Sequence, residues 1–187
     1  MPEPRPSIRS QQERRARRRR GSEVLEFTLS FLPMIAMICV LVDISWAIFA
    51  KSTLQRTVRI GVRTGVTLTA DDVGADGTLT GSVKAVVQKN ALGLLNGASG
   101  LSKIKVHYFQ PPAPSSTSAA IDVSAQSDGN QSGNIMEVSV ENYSLVPLLP
   151  RIFVPPTPVD NSPLIFSVSS ADLIEPSRTP APIGTAP

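Results

Sequence analysis

From Phe27 to Val42 the chain runs for 16 residues without a charge, and after Asp43 the apolar run resumes from Ile44 to Ala50. As a helix, Phe27 to Phe49 would be about 34 Å long at ~1.5 Å per residue, enough to cross a hydrocarbon core of about 30 Å once. Six arginines (Arg14, Arg15, Arg17, Arg18, Arg19 and Arg20) crowd the seven residues before Gly21, and no comparable block follows the run. Positive charge is retained on the cytoplasmic side. The pattern therefore predicts a single membrane-spanning helix over 22–50, with a cytoplasmic N-terminus and an extracytoplasmic remainder. The competing reading is a buried helix of a soluble domain. With 17 prolines in 187 residues, the rest of the chain is too small and too proline-rich to wrap such a helix on every side.

Two carboxylates accompany this run. An ionised carboxylate at mid-bilayer costs about 2.5–3.5 kcal/mol even on the lenient insertion scale, so such residues usually meet a partner or an interface. Asp43 stands near the outer end, where reaching the headgroups accounts for it. Glu26 stands at the cytoplasmic edge, five residues past Gly21, and its spacing points further.

The residues Gly21-Ser-Glu-Val-Leu-Glu-Phe27 resemble the processing site of type IV pilins and pseudopilins. In that family a basic leader ends in glycine, a prepilin peptidase cuts after it, and a glutamate stands fifth in the mature chain. Counting Ser22 as first makes Glu26 fifth and Phe27 sixth. The stretch Glu26 to Met34 (EFTLSFLPM) most resembles the TadE-like family of tight-adherence (Flp) pilus systems. Leu54 to Gly65 (LQRTVRIGVRTG), Leu145 to Pro150 (LVPLLP) and Leu164 to Pro176 (LIFSVSSADLIEP) are similar to later segments of that family. Residues from about 70 to 133 carry no resemblance.

The resemblance implies chemistry that these residue types suit. Gly21 lets the backbone approach a peptidase closely, and the arginines hold the leader against an anionic surface at about 1 kcal/mol each. Cleavage at Gly21-Ser22 would free an amine at the membrane edge. The resemblance implies that Glu26 pairs with that amine on a neighbouring subunit. Such a pair sets register, because a slipped subunit leaves a charge unmatched in low dielectric.

The remainder reads as one small α+β domain: a pilin-like long helix continuing into a short antiparallel sheet. Residues 1–20 hold eight of the arginines and two glutamates, so the net charge of +3 and the pI near 9.4 describe the leader, while the rest is net −3. Cys39 is the only cysteine, which excludes an internal disulfide. The expected divisions are a disordered basic leader over 1–21, the span over 22–50, a helix extension over 51–70, an extracytoplasmic domain over 71–175 and a proline-rich tail over 176–187. Pro33 should bend the span by removing one backbone hydrogen bond. Leu54, Val58, Val62 and Val66 form an apolar stripe at helical spacing opposite a basic face. Gly61 and Gly65 offer a close-approach site. Asp71 to Gly77 reads as a turn without the loop pattern of a calcium site. A second helix is expected over 80–95, stopped by Asn96-Gly97. Lys103 to Phe109, Ile135 to Tyr143 and Leu164 to Ser170 read as strands, the last two paired antiparallel. Residues 110–133 read as a long mobile loop, and 145–163 as a loop with apolar anchors.

No catalytic or metal-binding spacing occurs. His107, the only histidine, lacks partners in sequence for a metal or a triad and reads as a strand surface residue. The expectation is a non-enzymatic chain without cofactor, metal or nucleic-acid partner. The arginine block has no interleaved aromatics, and beside a membrane span its charge already has a topological use. The resemblance makes it a minor pseudopilin in the cytoplasmic membrane, with the prepilin peptidase, other pilins and pseudopilins and membrane lipid as partners. Two alternatives stand beside it. One is an unprocessed single-pass membrane protein with an extracytoplasmic binding domain. The other is a secretory signal cut after Ala50.

Overall fold

The computed structural model describes residues 8–74, 77–113, 118–147, 163–175 and 180–184, with side chains from Val24 onward. The first element, α1 (Ile8–Thr67), contains Pro33. It ends within three residues of the expected boundary at 70. At the other end it begins at Ile8, where the sequence predicts a disordered leader. Residues 8–20 contain neither glycine nor proline, and arginine is a good helix former, so helix can propagate back through them.

Beyond a turn at Thr69–Asp72, closed by the Asp72 N–H to the Thr69 carbonyl at 3.1 Å, α2 spans Leu79–Asn90. It is shorter than the expected 80–95. Leu92 (φ 50°) and Gly93 (φ 85°) take left-handed backbone, which ends a right-handed helix before Leu94 and Leu95. Asn96 instead sits at the N-cap of a one-turn helix, α3 (Gly97–Leu101).

Four strands follow: β1 (Ile104–Gln110), β2 (Ile121–Asp122), β3 (Ile135–Leu145) and β4 (Leu164–Leu173). They form an antiparallel sheet in the order β2-β1-β3-β4. The expected β3–β4 pairing is present, with Val140 opposite Val168 and Tyr143 opposite Phe166. Between those pairs Glu141 and Asn142 face Ser167 alone. This is a bulge, in which Asn142 has φ 53° and its N–H donates to Ser167 Oγ at 3.2 Å. The bulge keeps Tyr143 and Phe166 packed on each other after the register shift, with ring centroids 5.4 Å apart.

One face of the sheet is the core. Ile104, Val106, Tyr108, Met136, Val138, Val140 and Val168 alternate along the strands and are buried. They share a cluster with Leu54, Val58, Val62 and Val66 of α1 and with Leu79, Val83 and Val87 of α2. The Gly61/Gly65 pair serves this packing. A Cβ on Gly61 would run into Val87, and one on Gly65 would lie 2.5 Å from Met136 Sδ and 2.9 Å from Val83 Cγ2. Thr57 of α1, almost fully buried, bonds back to the Thr53 carbonyl (2.7 Å) and reaches the Asn90 carbonyl that ends α2 (3.3 Å).

The described part of the expected mobile loop is built in. The Val123 N–H donates to the Tyr108 carbonyl (2.8 Å), and the Tyr108 N–H donates to the buried Ser124 hydroxyl (2.8 Å). Gly133 and Asn134 exchange backbone hydrogen bonds with Ile174, and the Asn130 amide donates to the Ala181 carbonyl. The described tail residues are packed too, with Ala181 and Ile183 buried. Their neighbours settle the start of α2, whose first N–H groups have no helical partner. Leu79 donates to the Pro182 carbonyl, Thr80 to the Ile183 carbonyl, and Gly81 to Thr78 Oγ1. The expected loop over 145–163 lies largely outside the described residues.

Candidate functional site

Over Val24–Thr67, α1 is by length and composition long and apolar enough to cross a membrane. Sixteen large apolar side chains over that stretch are exposed, from Val24 and Leu25 through Ile48 and Phe49. A soluble monomer rarely leaves so continuous a patch in water, and lipid is the solvent that suits it. The hydroxyls of Thr28 and Ser45 bond to the carbonyls of Val24 (2.8 Å) and Leu41 (2.7 Å), so each is satisfied within its own helix. Phe27 stacks on Phe31 at 5.3 Å, and Trp46 on Phe49 at 5.5 Å.

Glu26 and Phe27 are both exposed at the N-terminal end of this apolar surface. Asp43 is half-buried near its other end, about 25 Å farther along the helix at ~1.5 Å per residue. Gly21 and Ser22 stand on α1 a little over a turn before Glu26, and Arg14, Arg15 and Arg17 to Arg20 precede them on the same helix. The one helix thus strings the predicted residues in line.

After Ala50 the character of α1 changes. Arg56, Arg59 and Arg63, spaced three and four residues apart on one side, are exposed. With Ser52, Gln55 and Ile60 they line an open groove of about 440 Å³ that contains no acidic residue. None of the three arginines forms an ion pair among the described residues.

A second groove, of about 470 Å³, crosses the outer face of the sheet and is lined by His107, Asp122, Glu137, Glu141 and serines of β3 and β4. Lys105 shares that face but does not line the groove. His107 Nδ1 lies 3.6 Å from Asp122 Oδ2, a charge contact when the imidazole is protonated and too long for a hydrogen bond. Ser124 holds the Asp122 carboxyl below the usual carboxylate range, first through its hydroxyl (2.5 Å) and then through its N–H (2.9 Å), with His107 adding less. His107 is indeed a strand residue facing outward, but sequence reasoning missed Asp122 beside it. β2 has only two residues, too few for alternation to register. On the other face burial pushes the Tyr108 phenol up to about 12, with Thr80 opposing that rise. No group of three or more His, Cys, Asp or Glu side chains among the described residues is arranged to hold a metal ion.

The family model for TadE-like proteins matches residues 21–63, the segment that begins at Gly21 and ends at Arg63. No curated protein and no solved structure matches the chain. The matched segment contains Glu26, the exposed apolar half of α1 and the arginine groove.

Proposed function

Proceeding from the TadE-like match over residues 21–63, we propose that this chain is a membrane-anchored minor pseudopilin. It assists assembly or anchoring of a tight-adherence (Flp, type IVb) pilus or a related secretion apparatus. The observation that carries this reading is the coincidence of the matched segment with a helix whose apolar half is exposed and bears Glu26 at its N-terminal edge. The arginine block keeps the N-terminus cytoplasmic and places the α+β domain outside. A prepilin peptidase cuts between Gly21 and Ser22, removing the block. The new amine of one subunit then meets Glu26 of a neighbour where low dielectric makes an unmatched charge costly. The role is mechanical: lateral packing of the span in lipid, with Glu26 as the register key.

A secretory cut after Ala50 has a structural argument against it. Ala50 is fully buried in the domain cluster and lies in mid-helix, so the cut would sever a packed element.

The test is the N-terminus and intact mass of the protein recovered from membranes of its host, together with Glu26→Gln. The expected outcome is a chain beginning at Ser22, and a Glu26→Gln variant that inserts in the membrane yet fails to assemble. A chain beginning at Met1, or normal assembly by the variant, overturns the reading.

A further inference from the structure

The two grooves described above carry opposite charge. On α1, Arg56, Arg59 and Arg63 line one with no acidic residue among them. On the sheet, Asp122, Glu137 and Glu141 line the other, with His107 as its only basic group. None of these arginines finds a carboxylate within the described residues. Because α1 buries its valine stripe against the inner face of the sheet, the arginines and the outer sheet face look out from opposite sides of one helix-on-sheet layer.

We infer that the arginine groove of one copy docks on the acidic sheet face of a second copy, head to tail. The spans agree. Arg56 to Arg63 covers about 10 Å along a helix. Glu137 to Glu141, on alternate residues of β3, covers about 13 Å along a strand. Arginine is the cation suited to this, since its planar fork binds carboxylates bidentately and is weakly hydrated. Two different patches meeting one another make a heterologous contact, which does not saturate at a dimer and propagates as a ring or a filament. That geometry rests on the pilus reading only in requiring that copies lie side by side in one membrane. Long-range attraction between the two patches also speeds encounter and rejects a flipped neighbour, which would set arginine against arginine.

Cross-linking of the full chain in membranes tests this. In a Cys39→Ala background, Gln55→Cys and Ser169→Cys place one thiol beside each groove and leave every charge in place. Oxidation of the double variant should yield a ladder of dimers, trimers and larger species. Either single-cysteine variant alone should yield only background. Adding Arg59→Glu and Arg63→Glu should cut the yield by about tenfold, and Glu137→Arg with Glu141→Arg in the same chain should restore it. No ladder, equal dimer from Gln55→Cys alone, or a ladder indifferent to charge reversal overturns the inference. So does loss of the ladder in phosphatidylglycerol vesicles but not in neutral ones, which would assign the arginines to lipid headgroups. Reading the N-terminus on the same membranes separates the two proposals. A chain starting at Ser22 without a ladder sinks the interface alone, and a ladder from uncut chain sinks the pseudopilin reading alone.

Discussion

The two halves of α1 share one backbone and differ in what surrounds them. Between Val24 and Phe49 large apolar side chains point outward with no polar side to the helix; Leu29 is 72% exposed and Phe27 66%. Beyond Ala50 the buried large apolar residues narrow to the stripe Leu54, Val58, Val62 and Val66, and the outward surface is mostly polar, with arginines, Lys51, Gln55 and hydroxyls around the half-buried Ile60. Residue size shifts as well. Leucine, phenylalanine and methionine fill the first half, while valine, threonine and glycine fill the second, where α2 and β3 come close. A helix meant for lipid needs apolar bulk all round, because lipid conforms to any shape. A helix meant for a protein core needs a narrow stripe with shapes that match, because its neighbours are fixed and densely packed.

The same truncation made in each half is the sharpest way to break this contrast. Leu54→Ala removes a fully buried side chain and should cost the domain about 2–5 kcal/mol. Leu29→Ala should leave domain stability unchanged. Urea unfolding in detergent measures both, and equal losses would mean that the two halves are not distinct environments.

Next in size is a pH effect that sharpens the packed side. With the Tyr108 phenol raised to about 12, the folded state holds its proton more tightly than the unfolded chain does. The Tyr108 contribution to stability is therefore flat below the unfolded value near 10 and falls as pH climbs from about 10 to about 12, by about 2–3 kcal/mol in all. Tyr108→Phe should flatten that decline in unfolding curves taken across the range; an unchanged decline would place its cause elsewhere.

The smallest effect separates the two glycines. Gly61→Ala and Gly65→Ala each gain about 1 kcal/mol of helix propensity, set against about 1–3 kcal/mol for overpacking. Gly61 should suffer more, because its new methyl meets Val87, stiff at χ1 within a helix, whereas Gly65 meets the adaptable Met136 as well as Val83. Thermal unfolding of the two variants ranks them, and the reverse order would show that Val87 can yield.

Much of this was legible in the sequence because periodicity reports burial. The valine stripe and the alternation of Met136, Val138 and Val140 each predict the burial their residues have in the structure, and the apolar run predicts the long apolar helix with its exposed side chains. The G-x-x-x-G spacing predicts a close approach but not its partner, which proved to be α2 and β3 of the same domain. Where the fold departs from expectation, contacts distant in sequence decide. Ser124 and Asn130 look like loop residues until the Tyr108 backbone and the Ala181 carbonyl stand beside them. α2 stops early because Leu92 accepts a left-handed backbone, which nothing in a leucine announces. Of the candidate site, Glu26 was legible only through its spacing from Gly21. The charge opposition of the two grooves was hidden until the arginines and Asp122 had faces to belong to.

The start of α2 also imposes an order in time. Its first two N–H groups are satisfied by the carbonyls of Pro182 and Ile183, which are synthesised about a hundred residues after Leu79. At roughly 5–20 residues per second that is a delay on the order of 5–20 s. Until those residues arrive, α2 has frayed ends and the valine side of α1 has an incomplete cover. The domain therefore cannot finish folding until Ile183 has been made, and the long helix that leads the chain is complete well before the part it carries is sealed.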